Sequence, residues 1–296
     1  MIIGWIGTGI MGRWMCEHLL KQNHKMLVYN RTPSKCDPLV KLGAEFTEPE
    51  IIAEESEVVF IMLGYPHDVE DVVLGKNGLL KNMKPGTVLV DHTTSRPELA
   101  KRIYSSGLYE GVVCFDAPVS GGDIRAKSGE LISMVGGPKK YFDKILPLLS
   151  AYSQQVTYMG EAGVGQHTKM CNQIMISTTM MGVAEAFLYG YKAGVPLQQL
   201  VELLQNGGAG SYSLKYLGPK MLNRDFAPGF LVHHFFKDLG IALEEARRMN
   251  LNLPGLTLGH SLYGIMMQHK GDFDGSHGLL KVMELLNNFE LPNHCL

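Results

Sequence analysis
At 296 residues, 45% of them apolar, the chain suits two domains or one large one and has ample material for a core. A formal net charge of −2 offers no basic excess to grip nucleic acid, and no apolar run reaches the roughly 18 residues a membrane helix needs. Five scattered cysteines (Cys16, Cys36, Cys114, Cys171, Cys295) make no C-x-x-C pair, so neither a disulfide framework nor a zinc site is expected. They fit a reducing compartment, and Met1 abuts the first strand with no room for a signal peptide, so a cytoplasmic protein is the expectation.

Residues 2–6 read as a short buried strand, followed by the turn Gly7-Thr8-Gly9-Ile10-Met11-Gly12 and a helical pattern over 13–22. Strand, G-x-G-x-x-G and helix in that order form the dinucleotide-binding arrangement. Gly7 permits the tight turn, Gly9 lets the backbone approach a pyrophosphate, and Gly12 lets the helix pack against the strand. The helix N-terminus offers N–H groups to the anion, at Thr8, Ile10 and Met11 as well as at the glycines. A glycine-rich turn with no ligand is the plainer alternative. The next strand, 25–29, ends in Asn30-Arg31-Thr32 instead of the acid that holds a ribose 2′-OH in NAD sites. A guanidinium pairs with a 2′-phosphate, which a carboxylate would repel. NADP(H) is therefore expected over NAD(H), with NAD(H) still possible and Arg31 otherwise a solvated loop residue.

Near-continuous apolar strands follow at 57–62, 87–91, 112–116, 131–135 and 155–158. With intervening helices they predict a doubly wound, mostly parallel sheet covered on both faces; periodicity does not decide whether the later strands run antiparallel. Pockets in such sheets open at the carboxyl ends of strands. Three loops fall there: Leu63-Gly64-Tyr65-Pro66, Asp91-His92-Thr93-Thr94-Ser95, and Asp116-Ala117-Pro118-Val119-Ser120-Gly121-Gly122-Asp123. Ser120, Gly121 and Gly122 can present a hydroxyl and backbone N–H groups to a carboxylate, although Ser-Gly-Gly is commonly a bare turn.

From residue 163 onward only helices are predicted: 163–193, 196–205, 214–222, 237–249, 256–269 and 278–286, with 290–296 a loose tail. The expected division is an α/β Rossmann domain over 1–161 and an all-α domain over 162–296. Lys169, Asn172 and Gln173 stand at i, i+3 and i+4 on one helix face among apolar neighbours. Such a lysine either snorkels or is placed to move a proton. His233-His234 lacks a third ligand at metal spacing and reads as a helix start.

Taken together, Gly7-x-Gly9-x-Met11-Gly12, Asp116-Ala117-Pro118-Val119-Ser120-Gly121-Gly122, Gly163-x-Gly165-x-x-x-Lys169-x-x-Asn172 and Lys237-Asp238-Leu239 resemble the β-hydroxyacid dehydrogenase family over nearly the whole chain. The resemblance implies a Rossmann domain, a long connecting helix and a helical domain through which homodimers or homotetramers form. It implies that Lys169 is the catalytic lysine and that Ser120, Gly121 and Gly122 receive the carboxylate of a small substrate. It further implies that Asn172 and Gln173 orient that substrate, that Thr94 contacts the cofactor, and that Lys237 closes over the nicotinamide side. Several family members carry Asn-Asn where this chain has Asn172 then Gln173, which bears on substrate fit. The activity implied is hydride transfer between NADP(H) and a β-hydroxy acid or semialdehyde, with Lys169 as general acid and base. A non-catalytic NADP(H)-binding scaffold on the same fold is the alternative from another class.

Overall fold
The computed structural model describes residues 1–292, and the chain divides into two compact units, Met1–Lys169 and Met170–Leu296. The first unit holds one nine-stranded sheet: β1 (Ile2–Ile6), β2 (Lys25–Tyr29), β3 (Glu45–Phe46), β4 (Val58–Ile61), β5 (Val88–Asp91), β6 (Val113–Asp116), β7 (Val119–Ser120), β8 (Leu131–Gly136) and β9 (Ser153–Gly160). The order runs β3-β2-β1-β4-β5-β6, all parallel. The chain then reverses: β6 and β7 meet β8 antiparallel, at Asp116↔Gly136 and Val119↔Ser133, and β9 lies parallel to β8. The order turns back on itself between β1 and β4, the place where open α/β sheets bind ligands.

Alternation explains why these strands are apolar throughout. Val58 and Phe60 of β4 join Ile3, Trp5, Val28 and Val90 in a core on one face of the sheet. Val59 and Ile61 join Ile6, Leu27 and Leu89 on the other. Successive side chains point to opposite faces, and helices cover both. Trp5, with no exposed surface, stacks on Phe60 at 5.3 Å between centroids, and burying such a ring contributes roughly 2–3 kcal/mol. Its indole N–H donates to Gly7 O at 3.1 Å, which ties the core to the glycine turn.

The second unit is helical. Its core gathers Met180, Ala184, Phe187, Val232, Phe235, Leu239, Tyr263, Leu279 and Leu280. The helix Val164–Lys192 begins in the first unit and continues into the second. Three expectations change. The two-residue strands β3 and β7 carry no period of their own and exist only through their neighbours. The helix expected from 237 starts at Val232, so Lys237 lies inside it and His233-His234 in its first turn. The supposed loose tail is anchored at Leu291, which is buried and donates its N–H to Glu284 Oε1 at 2.9 Å; residues 293–296, Cys295 among them, lie outside the described part. No helix among the described residues is long and apolar enough to cross a membrane.

Candidate active site
The glycine turn shows three separate needs for glycine. Gly7 has φ +99°, and a Cβ there would strike Met62 O. A Cβ on Gly12 would strike Gly7 O, so the helix Gly12–Leu20 packs close only without one. At Gly9 nothing lies within 4 Å of where a Cβ would stand, and neighbouring Ile10 is exposed. That open side is the cradle a pyrophosphate requires, so the residues fit a dinucleotide. Met11 is half-buried at the start of the helix.

Thr8 is tied to the end of β2. It is buried, and its N–H donates to Asn30 Oδ1 at 3.1 Å while Asn30 Nδ2 donates to Thr32 O at 3.1 Å. Thr8 and Asn30 are engaged in holding the turn to the end of β2, so Thr8 acts as a strut. Thr32 is exposed. Arg31 reaches outward, its side chain 86% exposed, and its Nη1 donates to Asp68 Oδ1 at 3.1 Å. Asp68 was missed because the expected place for an acid was the end of β2. It comes instead from the helix after β4, and local sequence carries no sign of that neighbourhood. Leu63, half-buried beside the turn, donates its N–H to Thr93 Oγ1 at 2.9 Å, and half-buried Thr94 follows in the same loop.

Lys169 is buried rather than snorkelling. Its Nζ donates to Val119 O at 2.9 Å, so the ammonium stands on the residue directly before Ser120-Gly121-Gly122. Gly121 and Gly122 have φ +137° and +68°, and a Cβ on Gly121 would meet Arg125 Cβ at 2.8 Å. Ser120, Gly121 and Gly122 are each partly open.

Behind this pair lie polar groups of those loops and of the helix start to which the sequence assigned no individual role. Asp116, at the end of β6, accepts the Gly163 N–H on Oδ1 and the Gln166 N–H on Oδ2, both at 2.8 Å. Burial pushes its carboxyl up to about 6 against these donors. Gln166, with no exposed surface, donates Nε2 to Thr93 O at 2.7 Å and accepts the Ser95 N–H at 2.9 Å. His92 is also fully buried; its Nδ1 lies 2.6 Å from Ala117 O and its Nε2 2.8 Å from Tyr152 OH, and desolvation lowers its pKa to about 4. A neutral ring donates at Nδ1 and accepts the tyrosine proton at Nε2. The sequence signal for Asp116 and His92 was available: polar residues at the ends of strands too apolar to leave them solvated.

In the second unit Gln173 is fully buried and both ends of its amide are engaged. Oε1 accepts from Asn172 Nδ2 at 2.7 Å, and Nε2 donates to Asp238 Oδ2 at 2.6 Å. Gln173 is therefore tied to both Asn172 and Asp238. Asn172 remains partly open. Lys237 Nζ lies 3.0 Å from Asp238 Oδ1, a charge contact whose alignment falls short of a hydrogen bond. Among the described residues no three His, Cys, Asp or Glu side chains gather as metal ligands would.

Comparison with known proteins agrees with this geometry. Residues 2–160 match the NAD binding domain of 6-phosphogluconate dehydrogenase, and residues 163–283 match the NAD-binding domain of NADP-dependent 3-hydroxyisobutyrate dehydrogenase. A probable 3-hydroxyisobutyrate dehydrogenase-like protein of Arabidopsis thaliana is 46% identical over 294 residues, covering 98% of this chain and 87% of that one. The 2-hydroxy-3-oxopropionate reductase of Escherichia coli is 35% identical over 292 residues, 98% of this chain and 100% of that one. The solved structure of Psf3 in complex with NADP+ and 2-OPP aligns with TM-score 0.87 at 26% identity, over 95% of this chain and 99% of that one. With NAD(P)-binding matches, full-length relatives and the open glycine cradle in agreement, the chain is an NAD(P)-dependent oxidoreductase of the β-hydroxyacid dehydrogenase family.

Proposed function
We propose that the protein interconverts a small β-hydroxy acid and its semialdehyde with NADP(H), and that Lys169 exchanges the proton on the reacting oxygen. The observation that carries this reading is the buried Lys169 Nζ standing on Val119 O, next to the open Ser120-Gly121-Gly122 loop. A bound nicotinamide supplies or accepts the hydride. The first 161 residues hold that cofactor, with the pyrophosphate over Gly9, Ile10 and Met11 and with Leu63 and Thr94 along its length. Ser120 and the backbone of Gly121 and Gly122 receive the substrate carboxylate. Lys169 donates to the neutral carbonyl of Val119, and its ammonium is the cation placed beside the loop to meet an oxygen that gains charge as hydride arrives. Residues 162–296 complete the substrate site, Asn172 contributing an amide and Lys237 a cation. Steady-state assays of methylmalonate, tartronate and succinic semialdehydes, glyoxylate and serine, each with both coenzymes, test the reading. Turnover of at least one three- or four-carbon acid is expected; none with either coenzyme would overturn it.

The cofactor preference rests on Arg31. Its exposed ion pair with Asp68 is worth little, about 0–1 kcal/mol, so a ribose 2′-phosphate displaces the carboxylate at small cost. Charge-assisted bonds to the phosphate contribute roughly 1.5–3 kcal/mol. Arg31→Ala should therefore lower kcat/KM about 10- to 100-fold with NADPH and within about twofold with NADH. Equal losses with both would remove the phosphate role.

Self-association through the helical unit completes the proposal. The long helix leaves Met175 70% and Tyr189 77% exposed, and Leu258 of the helix Pro254–Gln268 is 53% exposed. Apolar surface of this kind suits a second copy of the chain. Light scattering should return a dimer or tetramer, and Met175→Glu with Tyr189→Glu should shift it toward monomer. Cytoplasmic residence is proposed with it, and cell fractionation tests that part.

A further inference from the structure
The segment 116–119 is bound at every residue. Asp116 holds the start of the long helix, Ala117 O meets His92 Nδ1, Pro118 O accepts the Met134 N–H at 3.0 Å, and Val119 O receives Lys169 Nζ. The same few residues thus touch the helix at two places, at Gly163–Gln166 through a carboxylate and at Lys169 through a carbonyl. Gln166 and Lys169 are one turn apart. The approach is as close as backbone permits. A Cβ on Gly165 would stand 2.6 Å from Asp116 O and from Met134 O, and one on Gly136 would stand 2.7 Å from Asp116 Oδ1. Gly165, quoted above as part of a motif, is therefore a glycine because the Asp116 and Met134 carbonyls and the Asp116 carboxylate crowd it, whereas Gly163 has φ +88° and a Cβ there would meet Pro97 O at 2.8 Å.

We infer that Asp116 is the positioning residue for Lys169: its carboxylate fixes the rotation and advance of the helix so that the ammonium meets Val119 O beside the substrate loop. Gln166 carries the same constraint to the Thr93–Ser95 loop, so the proposed cofactor-contacting loop, the substrate loop and the proton donor move as one body. A capping carboxylate at a helix start is ordinary. Here it comes from a strand 47 residues away in sequence and serves the helix that bears the proton donor. The inference rests on the reading of Lys169 as the proton-transfer group.

The test is Asp116→Asn. The amide keeps one acceptor but turns an N–H₂ group toward the other backbone donor, which displaces the helix start. A misplacement of about 1 Å at a reacting group costs on the order of a hundredfold, so kcat should fall about 10- to 100-fold. The dissociation constant for NADPH, read by fluorescence, should stay within about twofold, and the urea midpoint at pH 7 should be unchanged or higher. A merely structural role predicts the reverse: a lowered midpoint with kcat per folded molecule intact. Should this variant fail to fold, Gln166→Glu loosens the second tie, to Thr93 O, and should show the same split of kcat from coenzyme binding. Wild-type kcat in Asp116→Asn, or in Gln166→Glu where the first does not fold, overturns the inference. If Lys169→Met keeps its activity, the proton-transfer reading has failed instead; a dead Lys169→Met beside a fully active Asp116→Asn condemns the positioning role alone.

Discussion

Lys169→Met should lower turnover by a factor on the order of 10³ while the NADPH dissociation constant stays within about threefold. The two effects separate because the groups are separate. The amine stands on Val119 O, whereas the dinucleotide cradle is the turn from Gly7 to Gly12. Methionine follows the aliphatic path of lysine, so the packing survives. What is lost is the donor. Val119 O gives up one partner at a cost of roughly 1–3 kcal/mol, a measurable drop in melting temperature but not a loss of fold. Single-turnover assays at saturating coenzyme give the chemical step directly. A variant keeping a tenth of the wild-type rate would show that another group moves the proton.

Acid stability should respond to Asp116 and His92 in opposite senses. His92 titrates at about 4 in the fold against an ordinary 6.5, because the charged ring cannot be solvated between Trp5, Phe60 and Tyr152. Its stabilising contribution is complete above pH 6.5 and is lost as pH falls toward 4. At about 1.4 kcal/mol per unit, the loss is roughly 3 kcal/mol. Asp116 runs the other way. Its pKa is about 6 in the fold against an ordinary 3.8, so the folded chain takes up that proton first and gains stability as pH falls from 6 to below 4, again by roughly 3 kcal/mol. The groups facing Asp116 are backbone N–H donors of Gly163, Gly165 and Gln166; His92 faces Ala117 O and the Tyr152 hydroxyl. The two contributions nearly cancel between pH 4 and 6. Asp116→Asn removes the compensating half. Urea denaturation at pH 7, 5.5 and 4.5 should show the variant losing about 2 kcal/mol relative to wild type across that window. All other titrating groups are common to both proteins, so parallel curves would mean that Asp116 is not protonated in the fold at pH 5.

Much of the chain was legible without coordinates. β1 and β2 begin and end where their apolar runs do, the glycine turn lies between strand and helix, and the long helix spans nearly its expected length. These features are written in neighbouring residues: a period of two or 3.6, and a turn that only glycine permits. The four ordered motifs carried the family for the same reason. What sequence could not supply were the partners. Arg31 meets Asp68 because β2, β1 and β4 lie side by side, 37 residues apart in the chain. Asp116 grips Gln166 across 50 residues and Gln173 braces Asp238 across 65. The bonds that tie Thr8 to Asn30 and Gln173 to Asn172 escape local sequence on the same ground. Residue type and spacing determined which chemistry the chain carries; strand order and helix packing decided which polar groups face a ligand and which are spent on each other, because a hydrogen bond is satisfied by whatever lies within 3 Å, and only the folded chain sets that.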